Sequence, residues 1–235
     1  MTTDDFLSHP HAFWQEISAA GTYDNAPVGG YQNFYPASFP DGSQIALPIR
    51  ERDGGKRALA SLIINQASFS VVDIFASQLA KMVAPYEPEI VVALPTLGIT
   101  LGAETARKLG HSRYVPLGTS RKFWYQDELS VPLRSITSPD QQKQLYMDPR
   151  MLPLLKGKRV LLIDDVLSTG TSIAAGYNLL KLCDIEPVVI GAAMLQTMLW
   201  KDRLDEIKPS LADIVVGVIN TPSLVPVSGG GWQKA

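Results

Sequence analysis

Two adjacent carboxylates, Asp164 and Asp165, close the apolar run Val160-Leu161-Leu162-Ile163, and the hydroxyl-rich turn Ser168-Thr169-Gly170-Thr171-Ser172 follows just beyond them. Paired acids suit sugar hydroxyls or the water shell of a metal ion. A turn rich in hydroxyls and backbone N–H groups, placed where a helix begins, suits a phosphate. The stretch therefore reads as a site for a phosphorylated sugar. Singly, each feature has an ordinary explanation, since an acid pair ends many strands and Ser, Thr and Gly cap many helices. The functional reading rests on their immediate succession: strand, diacid, hydroxyl-glycine turn, helix.

Two further stretches carry residues suited to the same chemistry. Pro95-Thr96-Leu97-Gly98 lies between an apolar run and a helical pattern, so it forms a second ligand-facing tip at the carboxyl end of a strand. The long segment from Gly118 to Lys158 opens with Ser120-Arg121-Lys122-Phe123-Trp124 and continues through Asp127 and Glu128. A connection of that length in a compact domain is usually a lid, a binding element or a disordered segment. Other chemistries lose ground. Gly-Lys-Ser/Thr is absent, no Gly-x-Gly-x-x-Gly follows a strand, and His9, His11 and His111 have no metal-ligand spacing with any Cys. The single cysteine, Cys183, sits on a helix face and reads as a packed thiol.

The elements that must position these residues follow from pattern. The 235 residues allow a sizeable core, and the net charge of −2 with scattered Lys and Arg gives no field for nucleic acid. No signal sequence or membrane-spanning run is read, so a cytoplasmic, reducing setting is expected. Apolar runs at Glu89 to Leu94, Arg113 to Leu117, Val160 to Ile163, Pro187 to Leu195 and Ala212 to Ile219 predict buried strands. Helical patterns alternate with them, from Ser70 to Ala84 with a Ser70/Asp73 capping box, from Ile99 to Leu109, and from Ser172 to Cys183, with Gln196 to Ile207 as a further helical candidate. This order gives an α/β fold, a doubly wound, mainly parallel sheet. Before it, a short helix is expected over Ala12 to Ala20. A hairpin turns at Asp41-Gly42 among the aromatics Tyr31, Phe34, Tyr35 and Phe39, and Arg50 to Arg57 reads as a charged connection. Leu129 to Ile136 is β-prone, and the chain from Asn220 onward reads as loop and frayed end.

The stretch Val160 to Ser172 resembles the phosphoribosyl pyrophosphate signature of type I phosphoribosyltransferases, in which apolar residues, two acids, two more residues and a Thr-Gly turn follow one another. The resemblance covers roughly residues 68 to 219. It implies a five-stranded core there, a mobile loop at about 118–150, and a small variable hood built from 1–67 and 196–235, where the acceptor base binds. It further implies transfer of the 5-phosphoribosyl group to a nucleobase with release of pyrophosphate, a purine being slightly favoured. In that scheme Asp164 and Asp165 hold the ribose hydroxyls and Mg²⁺, Ser168, Thr169, Gly170, Thr171 and Ser172 cradle the 5′-phosphate, and Thr96, Leu97 and Gly98 hold pyrophosphate. A loop cation, Arg121 or Lys122 with Arg134 as a third candidate, closes over the site. A homodimer is expected. Ser168 stands where some purine enzymes of the family carry an acid, which leaves Asp127 or Glu128 as candidate bases by location only. A non-catalytic regulatory protein of the same fold, binding phosphoribosyl pyrophosphate or a nucleotide, is the alternative.

Overall fold

The computed structural model describes residues 9–135 and 138–235; the side chains of residues 134–142, Arg134 among them, lie outside the described set. Its elements in chain order are β1 (Phe34–Ser38), β2 (Gln44–Arg52), β3 (Arg57–Ala60), α1 (Phe69–Val83), β4 (Ile90–Ala93), α2 (Gly98–Lys108), β5 (Val115–Pro116), β6 (Ser130–Ser135), β7 (Ser138–Tyr146), β8 (Val160–Leu167), α3 (Thr171–Leu182), β9 (Pro187–Gln196), α4 (Leu199–Asp205), β10 (Val215–Thr221), β11 (Ser223–Val227) and β12 (Gly231–Lys234).

The core sheet has the order β10-β9-β8-β4-β5, and every pairing in it is parallel. Alternation along β8 shows why its sequence is continuously apolar. Leu161 and Ile163 pack on one face with Val71, Phe75 and Leu79 of α1 and Leu101 of α2. Val160 and Leu162 pack on the other with Ile173, Tyr177 and Leu180 of α3. Both faces are covered, as a parallel sheet requires. In chain order the sheet runs outward in two directions from β4 and β8, so the topological switch point lies between those strands. That is where doubly wound sheets bind ligands.

A second sheet, β1-β2-β3-β11-β12, is antiparallel and gathers strands from both ends of the chain. The hairpin expected at Asp41-Gly42 joins β1 to β2, and Gly42 supplies the positive φ of 86° that the turn needs. The outer edge of β12 is partly covered: Tyr31 and Trp232 exchange two backbone hydrogen bonds at 2.7 and 2.8 Å. β6 and β7 form a separate hairpin beside α3.

Four expectations are corrected. Ala12 to Ala20 is not helical beyond a single turn at Pro10–Ala12. Instead Trp14 takes a positive φ of 64°, and Ser18 exchanges hydrogen bonds of 2.8 and 2.9 Å with Gln44, so that tertiary pairing overrides local helical pattern. The cap of α1 is Ser68, whose hydroxyl accepts from the Val71 N–H, rather than Ser70. Arg50 to Arg57 is not one connection, because β2 runs on to Arg52 and β3 resumes at Arg57. The chain after Asn220 is neither loop nor frayed, since β11 and β12 complete the second sheet.

Candidate active site

β8 carries the diacid to the carboxyl edge of the core sheet. Asp164 is buried and Asp165 half-buried. The backbone N–H of Asp165 donates to Asp164 Oδ1 at 2.9 Å. Burial, and then the neighbouring Asp165 carboxylate, push the Asp164 carboxyl well above its ordinary range. Burial also raises Asp165. Among the described residues no cation pairs with either acid. The pair is thus short of compensating positive charge, a condition suited to sugar hydroxyl donors or a divalent ion.

The neighbouring tip is pressed against it. The peptide between Pro95 and Thr96 is cis, and α2 begins at Gly98. A Cβ on Gly98 would lie 3.0 Å from Asp164 Cα and 3.1 Å from its Oδ1, so the close approach of α2 to the diacid depends on glycine. Beyond β8, Ser168, Thr169 and Gly170 turn the chain into α3. The N-cap Gly170 offers no side-chain cap, which leaves N–H groups of the first turn of α3 available to an anion. Thr169 Oγ1 and Thr171 Oγ1 lie 3.0 Å apart, and Thr197 Oγ1 donates to the Ser168 carbonyl at 3.3 Å.

Gly170 has a φ of 77°, and a Cβ there would lie 2.9 Å from Trp200 Cα. Trp200 is buried behind the turn rather than at the mouth of the site. Gly170→Ala is therefore expected to cost about 1–3 kcal/mol, combining a strained φ with a backbone clash. Thermal unfolding checks this, and an unchanged midpoint would contradict it.

A cleft of about 470 Å³ joins these parts. Thr96, Leu97, Asp164, Asp165, Ser168 and Ser172 all line it, with Gly98 packed behind the diacid and Thr169, Gly170 and Thr171 completing the turn. Arg121 and Lys122 do not line it. Arg121 is held by Asp127 through bonds of 2.7 and 3.3 Å, and Lys122 is exposed. That same pairing holds the Asp127 carboxyl below its usual value, which makes it a weak base in this arrangement. The loop is anchored farther on. Trp124 Nε1 donates to Asp148 Oδ2 at 3.3 Å, Arg150 lies over the Trp124 ring, and Arg150 holds the Asp148 carboxyl down to about 2.

Sequence reading missed the opposite wall. Arg50 and Arg52 of β2, Ser61 and Leu62 after β3, Gln196 at the end of β9 and Lys143 of β7 also line the cleft. The Gln196 amide donates to the Ala60 carbonyl at 2.5 Å and ties the two sheets together. The available signal was the period-two spacing of Arg50 and Arg52 at the end of an apolar strand. Among the described residues no group of three or more His, Cys, Asp or Glu is poised for a metal, so any ion here would rely on the diacid with ligand and water oxygens. No helix among them is long and apolar enough to cross a membrane.

The sheet order, the diacid and the hydroxyl-glycine turn define a class that comparison with known proteins makes explicit. The family model of the phosphoribosyl transferase domain matches residues 59–227, and the chain belongs to that family. The adenine phosphoribosyltransferase of Xanthomonas oryzae pv. oryzae (strain PXO99A) is 31% identical over 128 residues, spanning 53% of this chain and 64% of that relative. The chain thus matches less than two thirds of that curated protein's length. Among solved structures, the adenine phosphoribosyltransferase of Giardia lamblia with 9-deazaadenine superposes with a TM-score of 0.53 at 19% identity, covering 64% of this chain and 80% of that one. The Trypanosoma brucei enzyme in complex with AMP, pyrophosphate and ribose-5-phosphate gives 0.53 at 16% identity, covering 80% and 76%. At those identities the likeness is one of fold.

Proposed function

We propose that this protein transfers the 5-phosphoribosyl group of phosphoribosyl pyrophosphate to a nucleobase, releasing pyrophosphate and forming a nucleoside monophosphate. The observation that carries the reading is the meeting of the diacid, the uncapped start of α3 and the Pro95–Gly98 tip in one cleft at the switch point. The adenine phosphoribosyltransferases among its relatives support a purine acceptor. A homodimer in the cytoplasm belongs to the same reading.

Each part of the cleft has a separable role. Ser168 to Ser172 grip the 5′-phosphate, far from the reacting carbon, and so orient it. Thr96, Leu97 and Gly98 hold pyrophosphate through backbone N–H groups. Asp164 and Asp165 accept from the ribose hydroxyls, and their negative charge faces the positive charge that develops on the ribose ring as the bond to pyrophosphate breaks. The two acids also fit Mg²⁺ held through water, because neither forms an ion pair among the described residues. When bound, Mg²⁺ would neutralise charge on the leaving pyrophosphate. Ser168 is a poor base near neutral pH, so the reaction must proceed with a base that needs little proton removal or with a carboxylate brought by loop movement.

Pyrophosphate release from phosphoribosyl pyrophosphate with Mg²⁺, across a panel of purine and pyrimidine bases, tests this reading. Release that requires a base is expected. Tight binding without release for any base would overturn the transferase in favour of an effector-binding protein.

A further inference from the structure

The wall of the cleft opposite the diacid carries more positive charge than the ribose phosphate and pyrophosphate sites account for. Arg50 and Arg52 are two residues apart on β2, so both side chains lie on one face of the strand, and both line the cleft beside Leu59, Ala60 and Ser61. By the same alternation Glu51, the acid between them, does not line the cleft, although Arg50 and Glu51 both border a second cavity of about 230 Å³ at the strand's edge. In register Arg50 sits opposite Leu59 and Arg52 opposite Arg57, so the partner strand supplies no acid either. Neither arginine forms an ion pair among the described residues.

The other anionic groups of the substrate already have receptors. In the transferase reading the start of α3 is assigned to the 5′-phosphate and the Pro95–Gly98 tip to pyrophosphate, and both elements lie at the carboxyl edge of the core sheet. Arg50 and Arg52 belong to the second sheet, across the cleft. Two arginines on one face of a strand, neither in an ion pair among the described residues, can both take an anion, and their rigid forks match a planar carboxylate or an ionised ring oxygen. A neutral base offers them no charge.

We infer that Arg50 and Arg52 select an acceptor base that carries a negative charge at neutral pH, of the class of carboxylated pyrimidines and pyridines or acidic oxopurines. The inference rests on the transferase reading and makes the charge of the acceptor, rather than a purine ring, the feature selected. It sets this chain apart from relatives named for adenine, which is neutral at that pH.

The test compares kcat/KM for orotate, nicotinate and xanthine with that for adenine and hypoxanthine, in the full chain and in the Arg50→Gln/Arg52→Gln variant. Binding of phosphoribosyl pyrophosphate without acceptor is measured alongside. The best anionic acceptor is expected to exceed adenine at least about tenfold, and the double variant to lose about 10- to 100-fold of that efficiency, the scale of a charge-assisted hydrogen bond. Its binding of phosphoribosyl pyrophosphate is expected to be unchanged. Arg50→Lys/Arg52→Lys, which keeps charge but not the fork, is expected to recover part of the loss. Preference for adenine overturns the inference and leaves the transferase standing. So does a variant that loses affinity for phosphoribosyl pyrophosphate with its acceptor preference intact, because the arginines would then serve pyrophosphate. Release with no acceptor at all, in protein that binds phosphoribosyl pyrophosphate, overturns the transferase reading and this inference with it.

Discussion

Replacing both acids, Asp164→Asn with Asp165→Asn, is expected to abolish Mg²⁺-dependent binding of phosphoribosyl pyrophosphate while leaving a folded protein that is more stable than the original. The loss follows from removing the only two carboxylates that line the cleft among the described residues. The gain follows from their protonation. Asp164 is raised by burial and then by the Asp165 charge, and Asp165 by burial, so the native state holds protons on these groups more tightly than the unfolded chain does. For a carboxyl raised in this way, the stabilising proton uptake is fully present below the unfolded value of about 4 and is lost as pH rises through the folded value. At pH 7 the native protein therefore carries a cost of ionising buried carboxyls that asparagine lacks. Thermal unfolding at pH 5 and pH 8 should show the advantage of the variant growing with pH. A folded variant with unchanged affinity for phosphoribosyl pyrophosphate would remove the diacid from the account.

The second large effect concerns the loop cations. Arg121→Ala with Lys122→Ala is expected to lower kcat about 100-fold, the scale of losing one group that stabilises transition-state charge, with little change in the affinity for phosphoribosyl pyrophosphate. Arg121 and Lys122 lie outside the cleft, and Arg121 is tied to Asp127 on an exposed surface. Exposed pairs contribute little, so in the proposed reading the tie would be exchanged at small cost for a pairing with the leaving group. Single-turnover and steady-state rates, measured with equilibrium binding, separate the two effects. A loss confined to binding would make these residues a grip rather than a closing element.

The core sheet was legible because its strands are covered on both faces. Val160 to Ile163 shows an apolar run with no alternation, and the structure explains it by assigning alternate residues to two different helical layers. The diacid, the turn and the Pro95–Gly98 tip were legible for a related reason: each sits where a strand gives way to a helix, a local event. The second sheet was not legible in the same way. Its strands are short and come from both chain ends, and β11 is fixed by pairing Ser223 with Leu59 and Leu224 with Ala58, contacts that no local window contains. Ser18 is held by Gln44, whose buried side chain also bonds Tyr23 and Asn25, so the amino-terminal segment takes its shape from partners beyond its own helical pattern. Arg50 and Arg52 were read as part of a connection because charge at a strand end resembles a solvated turn. Their strand continues to Arg52, and a short helical turn at Asp53–Gly55, with Gly54 at a φ of 65°, ends it.

Titration of phosphoribosyl pyrophosphate into the intact protein, with and without Mg²⁺ and in competition with ribose 5-phosphate, tests the central claim most directly. One site per chain is predicted, strengthened at least about tenfold by Mg²⁺, a gain of roughly 1.4 kcal/mol or more, and displaced by ribose 5-phosphate through the shared phosphate turn. Absence of binding, or binding indifferent to both Mg²⁺ and ribose 5-phosphate, would contradict the assignment of this cleft.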